Sequence, residues 1–173
     1  MTRKLDFEKL SLQDALDIAI IIEEEARDRY QELAEQLEQH RTPGAAKFFR
    51  DMMTNETKHA ADLQKHRANA FGKAPSKVDR SVVPEVETTD YDEARAFMTP
   101  HQALRIAYAN ETRAHGFYRD ALSTVRDAKV QSLFNGLMRE EAEHQAMVKA
   151  ALKKLPAEDK SNPSDFADDP VAQ

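Results

Sequence analysis

The chain contains no cysteine and no tryptophan, and its 173 residues include only four glycines and seven prolines. The lack of cysteine excludes disulfide bonds, zinc–thiolate sites, iron–sulfur clusters and cysteine nucleophiles. The scarcity of glycine and proline argues against sandwiches, barrels and other turn-rich β architectures. A chain of this length can bury a sizeable hydrophobic core within one domain. We therefore expect a single, mostly helical domain.

The charge and hydropathy patterns argue against two classes of partner. Lysine and arginine number 25 against 31 acidic residues, which gives a net charge of −6. An acidic domain lacks the basic surface of a nucleic-acid-binding protein. The longest apolar run, residues 18–22, is far shorter than the roughly 20 residues of a membrane span. The first residues carry no apolar segment of a secretory signal. We expect a cytoplasmic protein that binds neither nucleic acid nor membrane.

Four long segments have helical periodicity, and each is bounded by residues that favour helix ends. Serine, threonine and aspartate cap the first turn of a helix, and glycine suits the position after the last turn. Here these capping residues are Ser11, Thr42, Gly72, Thr99 and Asp127. The pattern predicts helices over residues 11–39, 42–71, 99–126 and 127–155.

The connections between these helices differ in length. A few residues join the first helix to the second and the third to the fourth, which is typical of antiparallel hairpins. Residues 73–98 are long enough to recross the bundle, and residues 91–98 within them favour a short helix. We predict an all-α, ferritin-like four-helix bundle over residues 1–155, with two antiparallel hairpins joined by a long crossover. Residues 156–173 are acidic and aperiodic and are predicted to form a disordered tail.

Each helix has an apolar stripe at the 4-3 spacing of a bundle seam, interrupted near its middle by polar residues. The first and third helices have one glutamate there, and the second and fourth have Glu-x-x-His. The interrupting residues are Glu23, Glu56, His59, Glu111, Glu141 and His144. Four buried carboxylates repel one another and each costs several kcal/mol to desolvate. Two divalent ions would balance their charge, and two neutral imidazoles would complete the coordination.

The spacing and an internal repeat support a dinuclear site. Residues three apart on a helix lie about 5–6 Å apart on one face, so the Glu and His of each motif can bind the same ion. The glutamates of the first and third helices are 88 residues apart, as are Tyr30 and Tyr118. The two Glu-x-x-His motifs are 85 residues apart. We predict a pseudo-two-fold site with one metal ion in each half.

This arrangement resembles the ferritin-like superfamily of di-iron carboxylate proteins, whose members supply a Glu from each of two helices and Glu-x-x-His from the other two. The segments EEEARDRY (residues 23–30) and NETRAHGFY (residues 110–118) resemble the rubrerythrin-like branch. The resemblance covers residues 11–155. It implies that Glu23 and Glu111 are terminal ligands, that Glu56 and Glu141 bridge, and that each histidine binds one ion. The implied cofactor is two iron ions, with manganese as the alternative.

The chain departs from related families at three points. It lacks the four-cysteine rubredoxin-type site through which full-length rubrerythrins receive electrons. Ala114 occupies the position of a second glutamate in typical rubrerythrins. Thr57 stands where bacterioferritins have the methionine that binds haem, so no haem is expected. His115 is either a third imidazole ligand that replaces the missing glutamate, or a supporting or surface histidine.

Several residues near the stripes have two interpretations each. Tyr30 and Tyr118 either pack in the core or donate their hydroxyl hydrogens to ligand carboxylates. His66 continues the second stripe beyond its motif, and we expect it at a polar end of the bundle. Gly116 and Gly136 lie inside helices, where glycine costs about 1 kcal/mol against alanine. Close approach of a neighbouring helix is the reason we consider for these two glycines.

These features favour oxidation of Fe(II) by O₂ or H₂O₂, in the handling of iron or oxidative stress. The alternative enzymes are a rubrerythrin-type peroxidase that uses an external electron donor, and a manganese catalase-like protein. An iron-storage or cargo subunit and a purely structural bundle with an empty acidic core are further alternatives. We expect a homodimer or a larger homo-oligomer.

Overall fold

The structure is a computed structural model that describes residues 5–39, 43–84, 86 and 99–157. Its four α-helices are α1 (Leu12–Gln39), α2 (Pro43–Phe71), α3 (Pro100–Leu122) and α4 (Ala128–Lys154). Two short 3₁₀ turns, Phe7–Lys9 and Arg80–Val82, lie outside the bundle helices. Within the described ranges there is no β-strand, so the predicted all-α class is confirmed. No described helix is both long enough and apolar enough to cross a membrane.

Two apolar clusters show how the helices run. The first apolar cluster joins the start of α1 and α4 to the end of α2 and α3, and includes Leu16, Leu63, Tyr118 and Phe134. The second apolar cluster joins the end of α1 and α4 to the start of α2 and α3, and includes Leu37, Phe49, Leu104 and Val148. Both hairpins are therefore antiparallel, and the chain recrosses the length of the bundle between α2 and α3. The predicted ferritin-like bundle is confirmed.

Local capping chemistry fixes most of the helix ends where the sequence places them. Thr99 accepts a hydrogen bond from the Gln102 backbone N–H while the Gln102 side chain accepts one from the Thr99 N–H, which forms a capping box. Asp127 accepts hydrogen bonds from two N–H groups in the first turn of α4. Gly72 adopts a φ of 58° after α2, a conformation that favours glycine. Thr42 lies outside the described residues.

The end of α3 differs from the prediction, because the helix stops at Leu122 rather than near Arg126. Asp127 must have an extended backbone to cap α4, and the chain has to leave the preceding helix before it reaches that position. The turn is held by a hydrogen bond of 2.6 Å from Ser123 Oγ to the Asp120 carbonyl. Val125 remains buried, so the apolar stripe continues past the end of the helix.

The described part of the crossover covers the first apolar cluster. Val83 and Val86 are buried against it. The Val86 carbonyl accepts a hydrogen bond of 3.3 Å from Arg113 Nε on α3, which ties the crossover to that helix. The predicted helix over residues 91–98 lies outside the described residues, as do residues 158–173 of the predicted tail.

The two glycines inside helices do not mark close helix contacts. A Cβ atom built at Gly136 would meet nothing within 4 Å, and one at Gly116 would meet only the end of the Arg119 side chain at 4.0 Å. Close approach of a neighbouring helix is therefore the wrong reason for either glycine.

We expect Gly136→Ala and Gly116→Ala each to raise the free energy of unfolding by about 1 kcal/mol. Alanine loses less backbone entropy than glycine in a helix, and both positions have room for the methyl group. Urea unfolding followed by circular dichroism measures the change. A lower midpoint in either variant would show that the added methyl group has disturbed the local packing.

Candidate metal centre

A polar layer separates the two apolar clusters at the middle of the bundle. On α1 the first apolar cluster extends to Ile22 and the second begins at Ala26, with Glu23 between them. On the other three helices the clusters are interrupted in the same way. The side chains in this layer are Glu23, Glu56, His59, Glu111, Glu141 and His144. The 4-3 spacing brings them together because it gives all four helices one inward face.

The side chains of this layer are almost completely buried, with one exception. Five of the six are at most 4% exposed, whereas the His59 side chain is 24% exposed. The layer therefore meets solvent at His59.

Each imidazole lies beside the glutamate of its own motif and a glutamate from the preceding helix. His59 Nδ1 is 3.5 Å from Glu56 Oε2 and 3.5 Å from Glu23 Oε2. His144 Nδ1 is 3.8 Å from Glu141 Oε2 and 3.1 Å from Glu111 Oε2. The two halves of the layer thus have the same composition, as the internal repeat predicts.

Glu56 connects the two halves. Its Oε2 faces His59, and its Oε1 lies 3.6 Å from His144 Nδ1. The two imidazole rings stack with centroids 5.0 Å apart and an angle of 6° between their planes. Glu56 is therefore close to the ligand atoms of both histidines.

Two sets of these side chains have ligand atoms close enough to share an ion. In each set the carboxylate oxygens and imidazole nitrogens lie within 4.8 Å of one another. The sets are Glu56 with His59 and His144, and Glu111 with Glu141 and His144. His115 is half-buried and belongs to neither set, and Glu23, whose Oε2 lies 3.5 Å from His59 Nδ1, also belongs to neither.

The unpaired polar atoms of the layer fit a bound cation. Within the described chain, both carboxylate oxygens of Glu23, Oε1 of Glu56 and Nδ1 of His59 have no hydrogen-bond partner. A buried polar atom without a partner costs about 1–3 kcal/mol, and more when it is charged. A metal ion would satisfy these atoms. Oxygen and imidazole ligands without thiolate suit iron and manganese.

The pKa values show how the layer is neutralised when protons take the place of a cation. Burial raises the pKa of Glu56 to about 8. The neighbouring His59 lowers this pKa, and the negative charge of Glu23 raises it. The carboxylates of Glu23 and Glu56 raise the pKa of His59 to about 10. Burial alone would lower the pKa of His144, but Glu111 and Glu56 outweigh burial and the pKa is raised. The layer therefore retains protons at neutral pH.

Tyr30 supports the layer from the second apolar cluster. Its hydroxyl donates a hydrogen bond of 2.5 Å to Glu111 Oε1, from α1 to α3. Its ring stacks on Phe49 with centroids 5.7 Å apart, which fixes the position of the hydroxyl. Tyr118 is buried and packs against Phe134. Glu23 accepts no hydrogen bond from the described residues, so the two tyrosines are not equivalent, and the role of Tyr118 stays a prediction.

We expect Tyr30→Phe to weaken metal binding about tenfold and to lower the free energy of unfolding by about 1–3 kcal/mol. The substitution removes the hydroxyl that holds Glu111 Oε1 and leaves a buried carboxylate oxygen without its donor. Co(II) titration and urea unfolding measure the two effects. Tyr108→Phe is the control, because it removes the hydroxyl of a half-buried tyrosine that lies outside the layer, beside Lys149. Unchanged affinity in Tyr30→Phe would contradict a supporting role.

The structure shows two hydrogen bonds at and beside Glu111 that the sequence did not predict. Gln145 Nε2 on α4 donates a hydrogen bond of 3.2 Å to the Glu111 backbone carbonyl. The preceding residue, Asn110, is fully buried and accepts a hydrogen bond of 2.5 Å from Arg113. The i to i+3 spacing of Asn110 and Arg113 is visible in the sequence, whereas nothing in it connects Gln145 to α3.

The fold and the polar layer agree with comparisons to known proteins. The family model described as Rubrerythrin matches residues 14–159 of the chain. The chain is also similar to the crystal structure of an uncharacterized conserved protein from Magnetospirillum magnetotacticum MS-1, with a TM-score of 0.69. The two sequences are 31% identical, and the alignment covers 87% of this chain and 99% of the other. No curated protein matches the chain. Because the family model covers nearly the whole bundle, the chain belongs to the Rubrerythrin family of the ferritin-like superfamily.

Proposed function

We propose that the protein is a di-iron oxidoreductase that oxidises Fe(II) with O₂ or H₂O₂. The observation that carries this proposal is the buried layer of four carboxylates and two imidazoles, with oxygen atoms that no donor in the described chain satisfies. Membership in the Rubrerythrin family, whose proteins bind two irons, supports the choice of metal.

The proposed ligand sets follow the two halves of the layer. Glu23 and His59 would hold one ion, and Glu111 and His144 would hold the other. Glu56 would serve both ions, because it lies within 3.6 Å of both imidazole nitrogens. Glu141 would do the same by its equivalence to Glu56 in the repeat. Four carboxylates then balance the four positive charges of two divalent ions, which removes the repulsion inside the core.

When bound, two Fe(II) ions would supply one electron each, and with two protons these two electrons would reduce one H₂O₂ to two waters or one O₂ to H₂O₂. The residues of the chain provide the setting for this exchange. The four carboxylates would offset four of the six positive charges that two ferric ions carry. The two apolar clusters exclude water on both sides of the layer. Tyr30 keeps the Glu111 carboxylate in one orientation.

Repeated turnover requires electrons from outside the chain. The chain has no cysteine and therefore no rubredoxin-type iron site of its own. Fresh Fe(II) is the donor in the proposed reaction. In a rubrerythrin-type peroxidase, an external reductase would take this role.

The test is to load the protein with Fe(II) without oxygen, measure the metal content, and mix the product with O₂ or H₂O₂. We expect about two irons per chain, and a ferric absorption that appears quickly with the preferred oxidant. Glu143→Gln, an exposed position on α4, is the control and should behave as wild type. Failure to bind either iron or manganese would overturn the proposal. Many irons per chain in a large oligomer would indicate storage instead, and catalytic H₂O₂ consumption with a reductase would indicate a peroxidase.

A further inference from the structure

A groove of about 660 Å³ runs between α2 and α4 and reaches the metal centre at His59. Its floor is apolar and includes Leu63, Leu133 and Leu137. Polar side chains lie along its walls, and they are Asp62, His66, Lys129, Ser132 and Glu140. The volume falls within the range of about 300–1,000 Å³ that is typical of sites for small ligands.

The groove meets the metal centre where the centre is open. His59 lines the groove and is 24% exposed, whereas the other five side chains of the layer are at most 4% exposed. Directly behind it lie Glu23 and Glu56, which are 1% exposed and have carboxylate oxygens without hydrogen-bond partners in the described chain. Among the side chains of the layer, an ion in the groove therefore meets His59 first and these unsatisfied oxygens next.

Carboxylate and imidazole side chains, which are types that can bind metal ions, line the groove together with His59. Asp62 and His66 follow His59 on α2 at intervals of three and four residues, so the three side chains share one face of the helix. Successive members of such a row lie about 5–6 Å apart. Glu140 lines the opposite wall, on α4. Asp62, His66 and Glu140 are exposed and form no ion pair with another described residue, so they are available to a passing cation.

We propose that this groove is the entry route of Fe(II), and that Asp62, His66 and Glu140 pass the ion to His59. The inference rests on the proposed di-iron function, and it assigns a role to residues outside the ligand set. Carboxylate and imidazole groups suit Fe(II). The apolar floor offers no competing ligand. Lys129 carries a positive charge on the groove wall. It lies 11 residues from Glu140 on α4, and this separation is about 16 Å along the helix.

Gly136 keeps the groove open on the α4 side. It lines the groove, and a Cβ atom at this position would meet nothing within 4 Å. A leucine side chain would therefore extend into the groove without displacing the backbone. Gly116 provides a matched control, because it is also a helix-interior glycine with room for a Cβ atom and it does not line the groove.

The first experiment measures the rate of Co(II) uptake by the metal-free protein in a stopped-flow spectrometer, with the final stoichiometry determined separately. Glu140→Gln should slow uptake about threefold relative to Glu143→Gln, and Asp62→Asn with Glu140→Gln about tenfold, because each substitution removes one negative charge that attracts the cation into the groove. The final stoichiometry should stay at the wild-type value. Glu140 and Glu143 are both exposed on α4, so the single variants change the net charge equally.

The second experiment compares Gly136→Leu with Gly116→Leu in the same assay. We expect uptake to be at least several-fold slower in Gly136→Leu alone, with unchanged stoichiometry, because leucine narrows the route and replaces no ligand. Equal uptake rates in both pairs of variants would overturn the route and leave the di-iron proposal standing. If wild-type protein takes up no Co(II), Fe(II) or Mn(II), both proposals fail.

Discussion

Glu56→Gln should abolish binding of both metal ions, whereas Glu23→Gln should leave one ion bound. Glu56 lies 3.5 Å from the nitrogen of His59 and 3.6 Å from that of His144, so its loss affects both halves of the layer. Glu23 lies 3.5 Å from the nitrogen of His59 and belongs to neither set of ligand atoms that could share an ion. A glutamine side chain has one neutral oxygen and cannot bridge two cations. We expect the affinity of Glu56→Gln to fall by more than the roughly 10- to 100-fold that loss of an outer partner costs.

Equilibrium dialysis against Co(II) or Fe(II) followed by metal analysis gives the number of ions per chain. Glutamine has nearly the volume of glutamate, and circular dichroism checks that the variants remain folded. Glu24→Gln is the control, since this residue neighbours Glu23 but its carboxylate accepts a hydrogen bond from Gln64 outside the layer. Two ions bound by Glu56→Gln would show that Glu56 does not bridge. Loss of both ions from Glu23→Gln would show that the halves do not bind independently.

Much of this centre could be predicted because its signals are local or periodic. Thr99, Asp127 and Gly72 act on backbone groups within one turn, so each specifies its helix end regardless of the tertiary fold. The 4-3 spacing identifies the inward face of each helix, and a charged residue on that face has to lie in the core. A repeated Glu-x-x-His on two such faces therefore predicts a polar layer before any helix is packed.

Partners across helices could not be predicted in this way. The spacing places Tyr30 inside the bundle, but it does not show that the hydroxyl reaches Glu111 on α3. Asp17 and Arg67 form an ion pair between α1 and α2, and Arg67 also donates to the Ala74 carbonyl. These contacts depend on rotation and separation of the helices, which the period of a single stripe does not determine.

The groove is a further feature that the stripe pattern does not predict. His66 and Ala70 continue the inward stripe of α2, yet both are exposed because they line the groove between α2 and α4. The expected polar end of the bundle thus corresponds to an open cavity. The sequence shows Gly136 as a glycine inside a helix, and the structure places open space beside it rather than a close helix contact.

The metal-free protein should lose several kcal/mol of stability as the pH rises from about 5 to about 9. The pKa of Glu56 is about 8 in the folded chain against an ordinary value of 4.5, so its contribution is complete below pH 4.5 and is lost as the pH rises through 8. The pKa of His59 is raised from 6.5 to about 10, so its contribution is complete below pH 6.5 and declines through 10. Both effects have the same sign, and each pKa unit corresponds to about 1.4 kcal/mol.

Metal binding should show the opposite dependence on pH. Glu56 and His59 must release their protons before they can bind an ion, so metal affinity should rise with pH over the same interval. Urea unfolding of the metal-free protein at several pH values, paired with Co(II) titrations in the same buffers, measures both trends. Glu56→Gln should flatten the first trend, because its side chain cannot ionise. A metal-free protein that is equally stable at pH 5 and pH 9 would contradict the argument. Protons and metal ions compete to neutralise the same buried carboxylates, and alkaline pH removes only the protons.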